Sequence, residues 1–200
     1  MGFLFRGMFC LLALGLLCLH VSSQTAPTTV RDRIVRAERP PDDDEDNKPM
    51  LQIVNLSIAD RNIELNRVFA ADGNWLRDLK IRVRNVSQQR LSCIGISFGL
   101  LAEIETKLGP RESWPWGLGF YKGACGDGKL TVDERNFSLK PGMETVLEFR
   151  DIPKRSMNQM GSFGKAVLHP KARIKIDGKA PREQNLALPP NTLFLEDELY

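Results

Sequence analysis

From Leu79 to Leu100 the chain alternates apolar with polar or small side chains, a period of two that no helix can use. Leu79, Ile81 and Val83 fall on one side, and Lys80, Arg82 and Arg84 on the other. After a polar stretch from Asn85 to Arg90, Ile94, Ile96, Phe98 and Leu100 alternate with Cys93, Gly95, Ser97 and Gly99. Successive side chains of an extended chain point to opposite faces, so each run buries one face and wets the other. Two such runs joined by a polar loop predict an antiparallel hairpin.

The same texture continues on both sides. Leu51 to Ile58 reads as a first strand. Phe137-Ser138-Leu139 leads into a Pro141-Gly142 turn, after which Thr145 to Phe149 forms another strand, and Ala166 to Leu168 and Ala172 to Ile176 supply one or two more. Lys154 to Met160, after Pro153, suits a turn or two of helix. Six to eight short strands with at most one short helix argue for an all-β sandwich.

The N-terminus has a different character. Arg6 precedes an apolar run from Met8 to Leu19, and Val21-Ser22-Ser23 offers short side chains for a signal peptidase. The run falls short of the roughly 20 apolar residues that span a bilayer. Residues 1–23 are therefore read as a cleaved signal peptide, with a retained anchor as the alternative, and no stable membrane span remains after cleavage. The mature chain is expected to be secreted or periplasmic. Losing Arg6 lowers the net charge by one from +3, too little and too evenly spread to argue for nucleic acid. Cys10 and Cys18 leave with the leader, so Cys93 and Cys125 are the two thiols left in an oxidising compartment, which suggests a disulfide.

Residues 24–49 carry Pro27, Pro40, Pro41 and Pro49 and the acidic block Asp42-Asp43-Asp44-Glu45-Asp46. Like charges repel and cannot repay ordering entropy by burial, so this stretch is expected to be a disordered linker. The block lacks the Gly-assisted turn and alternating ligands of a calcium loop. The body is expected over 50–180, and residues 181–200, with Pro189-Pro190, as a partly ordered tail.

The segment Trp75 to Ser87, followed by the Ile94/Ile96/Phe98 strand, resembles secreted bacterial immunoglobulin-like domains. Leu139-Lys140-Pro141-Gly142-Met143-Glu144-Thr145-Val146-Leu147 is similar to the "Pro-Gly then strand" step of that group, related in style to fibronectin type III and adhesion modules. The resemblance covers Leu51 to Ile176 and implies an immunoglobulin-like antiparallel sandwich; it marks a fold and not an activity. The Cys-Trp-Cys arrangement of antibody domains is absent.

Catalytic signals are sparse. The mature chain keeps one histidine, His169, and has no Gly-x-Ser-x-Gly elbow. One histidine and two bonded cysteines leave too few ligands for zinc. Gly117-Leu118-Gly119 lacks the third glycine of a dinucleotide fingerprint. No metal or cofactor is expected, and the chain is read as a non-enzyme. Glu103 and Glu105, or Asp127, Asp133 and Glu134, keep a glycan hydrolase open as an alternative, should two of them converge.

The most distinctive constellation is Trp114, Trp116, Phe120 and Tyr121, inside the Cys93–Cys125 loop. Exposed rings on a rigid loop stack on sugars or grip peptides, and they nominate a non-catalytic module binding a protein or an envelope glycan. Equally, the rings could close one end of the core, leaving a purely structural envelope component. The basic stripe Arg77, Lys80, Arg82 and Arg84 carries no interleaved aromatics, and charges there also discourage edge pairing. Asn55-Leu56-Ser57, Asn85-Val86-Ser87 and Asn136-Phe137-Ser138 match the N-glycosylation sequon, the last with Glu134 two residues before it, as bacterial oligosaccharyl transfer prefers.

Overall fold

A computed structural model describes residues 30–37, 48–106, 109–125, 131–148 and 163–194, with the backbone alone for 102–106 and 109–116. The fold is all-β. Its strands are β1 (Arg31–Ala37), β2 (Leu51–Ile58), β3 (Arg61–Ile63), β4 (Val68–Ala71), β5 (Leu79–Asn85), β6 (Leu91–Thr106), β7 (Gly109–Gly123), β8 (Glu144–Glu148), β9 (Phe163–Ile176) and β10 (Arg182–Ala187). One short helix, α1 (Val132–Asn136), stands among the described residues. The helical turns expected over Lys154 to Met160 lie outside them.

Strand order runs β4-β1-β9-β10-β2-β5-β8, with β3 on β2 and the β6/β7 ribbon on β9. Ten strands exceed the six to eight expected. The sheet is mixed and not purely antiparallel, because β1 runs parallel to β9 and β10 parallel to β2. The alternation placed the buried faces correctly: Leu79, Ile81, Val83, Ile94, Ile96, Phe98 and Leu100 all lie in one continuous apolar core with Leu56, Trp75, Leu147 and Ile174.

Alternation did not place the neighbours. The two runs expected to form a hairpin belong to different partners: β5 pairs with β2 and β8, and β6 with β7 and β9. The connection explains the divergence. Asn85 Oδ1 accepts from the Ser87 amide and hydroxyl, and Asn85 Nδ2 donates to the Gln89 and Leu139 carbonyls. That knot folds the loop on itself, and Leu91 then bridges to Leu139 and not to β5.

The domain boundaries also need correction. The linker assigned to 24–49 contains β1, whose Arg33, Val35 and Ala37 are buried. The tail assigned to 181–200 contains β10, which pairs antiparallel with β9 and parallel with β2. The acidic block and the leader lie outside the described residues. The two short strands read at Ala166–Leu168 and Ala172–Ile176 are one strand, β9, with an irregularity at His169 to Lys171 where its register on β6 shifts.

Candidate binding face

The Trp114–Tyr121 segment is a strand and not a loop. It forms most of β7, which pairs antiparallel with β6 in the register Gly95↔Tyr121, Ile96↔Phe120 and Ser97↔Gly119. Adjacent residues of a strand face opposite ways, and that separates the two aromatics at positions 120 and 121. Phe120 is 1% exposed and sits edge-on to Phe98, with ring centroids 5.4 Å apart, so it belongs to the core and drops out as a contact residue. Tyr121 is 53% exposed. Trp116 is in register with Leu100, and Trp114 stands at the irregularity between Leu100 and Ala102; their side chains lie outside the described residues.

Tyr121 does not stand off the sheet. A Cβ at Gly95 would lie 2.3 Å from Tyr121 Cδ1, and one at Gly119 would lie 2.2 Å from Cε2. The ring therefore rests over bare backbone of both β6 and β7, in space that any side chain would fill. Directly opposite residues in a ladder share a face. Gly95 pairs with Tyr121 on one side and Arg173 on the other, and Cys93 with Gly123 and Lys175. The outer face thus carries an exposed ring, a floor of glycine and two cations on β9. Arg173 is exposed and Lys175 half-buried.

Cys93 and Cys125 are joined in a disulfide with a Cα–Cα distance of 5.1 Å. It closes the base of the β6/β7 ribbon beside the glycine floor and holds Gly123, whose φ of +88° only glycine adopts easily.

The other candidates fare differently. The basic stripe is largely answered by carboxylates: Arg84 Nε donates to Glu144 Oε1 at 2.9 Å, Lys80 Nζ to Asp60 Oδ1 at 3.2 Å, and Arg77 Nε to Asp78 Oδ1 at 3.0 Å. Ala59, Arg77, Asp78, Lys80 and Glu148 line a shallow depression beside that stripe. His169 is exposed, its Nδ1 accepting from the Lys171 amide at 3.3 Å. Of the acids weighed for hydrolysis, Glu134 is committed to a capping box: its carboxylate accepts from the Thr131 amide at 2.7 Å and the Thr131 hydroxyl at 2.9 Å. Those bonds, the backbone one foremost, hold its carboxyl below the usual glutamate range. Asp133 is exposed on the same helix, while Glu103, Glu105 and Asp127 lie outside the described side chains. Among the described residues no three His, Cys, Asp or Glu gather as metal ligands.

The strand alternation of Gly95, Ser97 and Gly99 was legible as a small-residue face, but Tyr121 as its occupant and Arg173 and Lys175 as its border were not. They come from strands distant in sequence. No family, curated protein or solved structure matches the chain.

Proposed function

We propose that this chain is a secreted or periplasmic binding module, an immunoglobulin-like sandwich that acts by holding an anionic glycan of the cell envelope. The continuous core shared by β2, β5, β6 and β9 supports the layered reading, and the Cys93–Cys125 bridge supports an oxidising compartment. The observation that carries the proposal is Tyr121, an exposed ring seated flat on Gly95 and Gly119 with Arg173 in register across the glycine. A sugar ring presents axial C–H groups to such a π face, and two nearby cations answer carboxylate or phosphate substituents. Trp114 and Trp116, further along the same strand, are retained as contact candidates on sequence grounds.

Retention of the purified chain on an immobilised uronic-acid polysaccharide, against its carboxyl-reduced form, tests the reading. Tyr121→Ala is expected to weaken both by about tenfold, the lower part of the range of about 1–3 kcal/mol that a planar base gains by stacking on an aromatic. Arg173→Ala with Lys175→Ala should weaken only the anionic form and flatten its salt dependence. Trp114→Ala/Trp116→Ala reports on the remaining contacts. Equal retention of wild type and Tyr121→Ala on every polysaccharide tried would remove this face from consideration.

A further inference from the structure

The three sequons are chemically alike in sequence and unlike in the fold. Asn85 is 0% exposed, both hydrogens of its amide are spent on carbonyls, and the Ser87 hydroxyl is bonded to its Oδ1. Asn55 lies inside β2, where Asn55, Leu56 and Ser57 are all in register with β5 and Leu56 is buried; its amide donates to Asn62 Oδ1 at 3.1 Å. Asn136 differs on every count. It is the exposed last residue of α1, a five-residue helix that buries nothing, and the chain then turns extended at Phe137 with Ser138 exposed.

We propose that Asn136 is an acceptor for N-linked glycosylation, the sequon that the fold leaves open. The donor is a lipid-pyrophosphate-linked oligosaccharide and the catalyst a membrane oligosaccharyltransferase. Asn136 Nδ2 bonds to the anomeric carbon of the sugar and the bond from that carbon to the pyrophosphate oxygen breaks. The electron pair departs with the lipid pyrophosphate, and one Nδ2 proton passes to a carboxylate of the transferase. Only an amide with free hydrogens and an accessible hydroxyl two residues on can be seated for this step. Glu134, two residues before Asn136, adds the acid that bacterial transferases read.

The capping box sets the pace. Glu134 caps Thr131 through Oε2, so a transferase cation competes with the cap for the same carboxylate and opening of the turn from Thr131 to Asn136 favours transfer. A five-residue helix is far below the length at which helices stand alone, and this one has no buried side chain to hold it. The cap therefore tunes transfer by an enzyme that needs the acid, and its release frees Glu134 beside an acceptor that is already exposed.

The inference rests on the export reading, so the test uses purified, disulfide-intact full chain with lipid-linked oligosaccharide and two transferases. One requires the acid at the second position before asparagine, and one reads only Asn-x-Ser/Thr. Glycopeptide mass spectrometry should find the glycan at Asn136 with both and at neither Asn85 nor Asn55. Asn136→Gln should abolish it. Glu134→Gln should lower transfer roughly tenfold with the acid-requiring enzyme only, the scale of one charge-assisted hydrogen bond. Thr131→Ala should raise it about fivefold, the scale of one lost cap. The urea-unfolded chain should gain Asn85 and Asn55 with the relaxed enzyme. Transfer to Asn85 in the folded chain, or Asn136 left bare when folded but modified when unfolded, overturns the proposal. Success with purified chain but no glycan on chain recovered from a glycosylating host overturns the export reading instead.

Discussion

Tyr121 keeps half its surface in water although its ring covers the backbone of two glycines. An alanine at Gly95 or Gly119 cannot coexist with that pose, yet the ring is free to swing toward solvent. Gly95→Ala and Gly119→Ala are therefore expected to cost less than about 1 kcal/mol, because Gly-to-Ala in a strand interior by itself favours folding, while weakening polysaccharide retention as much as Tyr121→Ala does. Paired thermal melts and retention assays check both halves. Asn85 is the opposite case: its four side-chain hydrogen bonds are internal, and Asn85→Ala takes the partner from the Ser87 amide and one of two donors from the Leu139 carbonyl, which keeps the Leu91 amide. That change should cost about 1–3 kcal/mol, measured by urea unfolding. Glu134 gives a pH test with a definite sign. Its folded-state pKa is depressed, so the cap is fully formed above the ordinary glutamate range and is lost only as pH falls through the lower, folded value. A carboxyl NMR titration should place Glu134 below a peptide glutamate, and Thr131→Ala, which removes the hydroxyl but keeps the backbone amide, should move it only part of the way back. What was readable at this scale was the small-residue face itself. The tyrosine lying on it was not, because the glycines and proline among the aromatics read as a loop, and only in a strand must residues 120 and 121 face opposite ways.

Elements show the same division between what a period tells and what it omits. The period of two identified β5 and the first half of β6, since each buries one face, while β2, β8 and β9 read as strands from short apolar runs between turn signals. Pairing depends on which edges are free, and β5 had both of its edges taken by β2 and β8, leaving none for β6. The β6/β7 ribbon is long and is pinned at its base by Cys93–Cys125, with 32 residues of separation. Cys93→Ser/Cys125→Ser should cost about 3–4 kcal/mol on the chain-entropy account, read as a lowered urea midpoint. Loss of Tyr121 stacking should accompany it only near that midpoint. The β2–β3 turn is a smaller and opposite opportunity. Ile58 pairs with Arg61, and the two residues between them, Ala59 and Asp60, both have positive φ (46° and 66°). Two-residue turns of this kind favour asparagine at the first position, and alanine there is strained. Ala59→Asn should raise stability by about 0.5–1 kcal/mol, the order of a conformationally matched turn substitution. A melt that falls instead would mean that Ala59 is needed small where it lines the depression beside Lys80.

For the whole molecule the decisive strands are those at the ends of the described chain, and neither looked like a strand. β1 reads Arg-Asp-Arg-Ile-Val-Arg-Ala and lies inside the stretch that the prolines and the acidic block mark as linker. Arg33 is nonetheless buried: its Nη1 donates to the Phe163 carbonyl at 2.8 Å, and that same oxygen accepts from Trp75 Nε1 at 3.0 Å. A guanidinium is buried only when its surroundings answer it, and composition cannot report surroundings. β10 lies in the stretch that Pro189-Pro190 marks as a partly ordered tail, yet Leu186 is fully buried. β10 also joins β9 to β2 in the strand order. Without β1, the first half of β9 loses one of its two neighbours; without β10, the second half loses one, and β2 and β5 lose their hydrogen-bonded tie to β9. A fragment of residues 50–180, the body that composition suggests, should therefore fail to fold cooperatively. The chain from residue 24 to 200 should melt in one transition with well-dispersed amide NMR signals, while the fragment should show poor dispersion and bind a hydrophobic dye. Restoring residues 181–200 should recover the link to β2 but leave Trp75 Nε1 and the Phe163 carbonyl beside the vacated place of Arg33, so intermediate stability is expected. Native-like dispersion in the 50–180 fragment would mean that the core of β2, β5, β6 and β9 holds by itself, with β1 and β10 only laid against it.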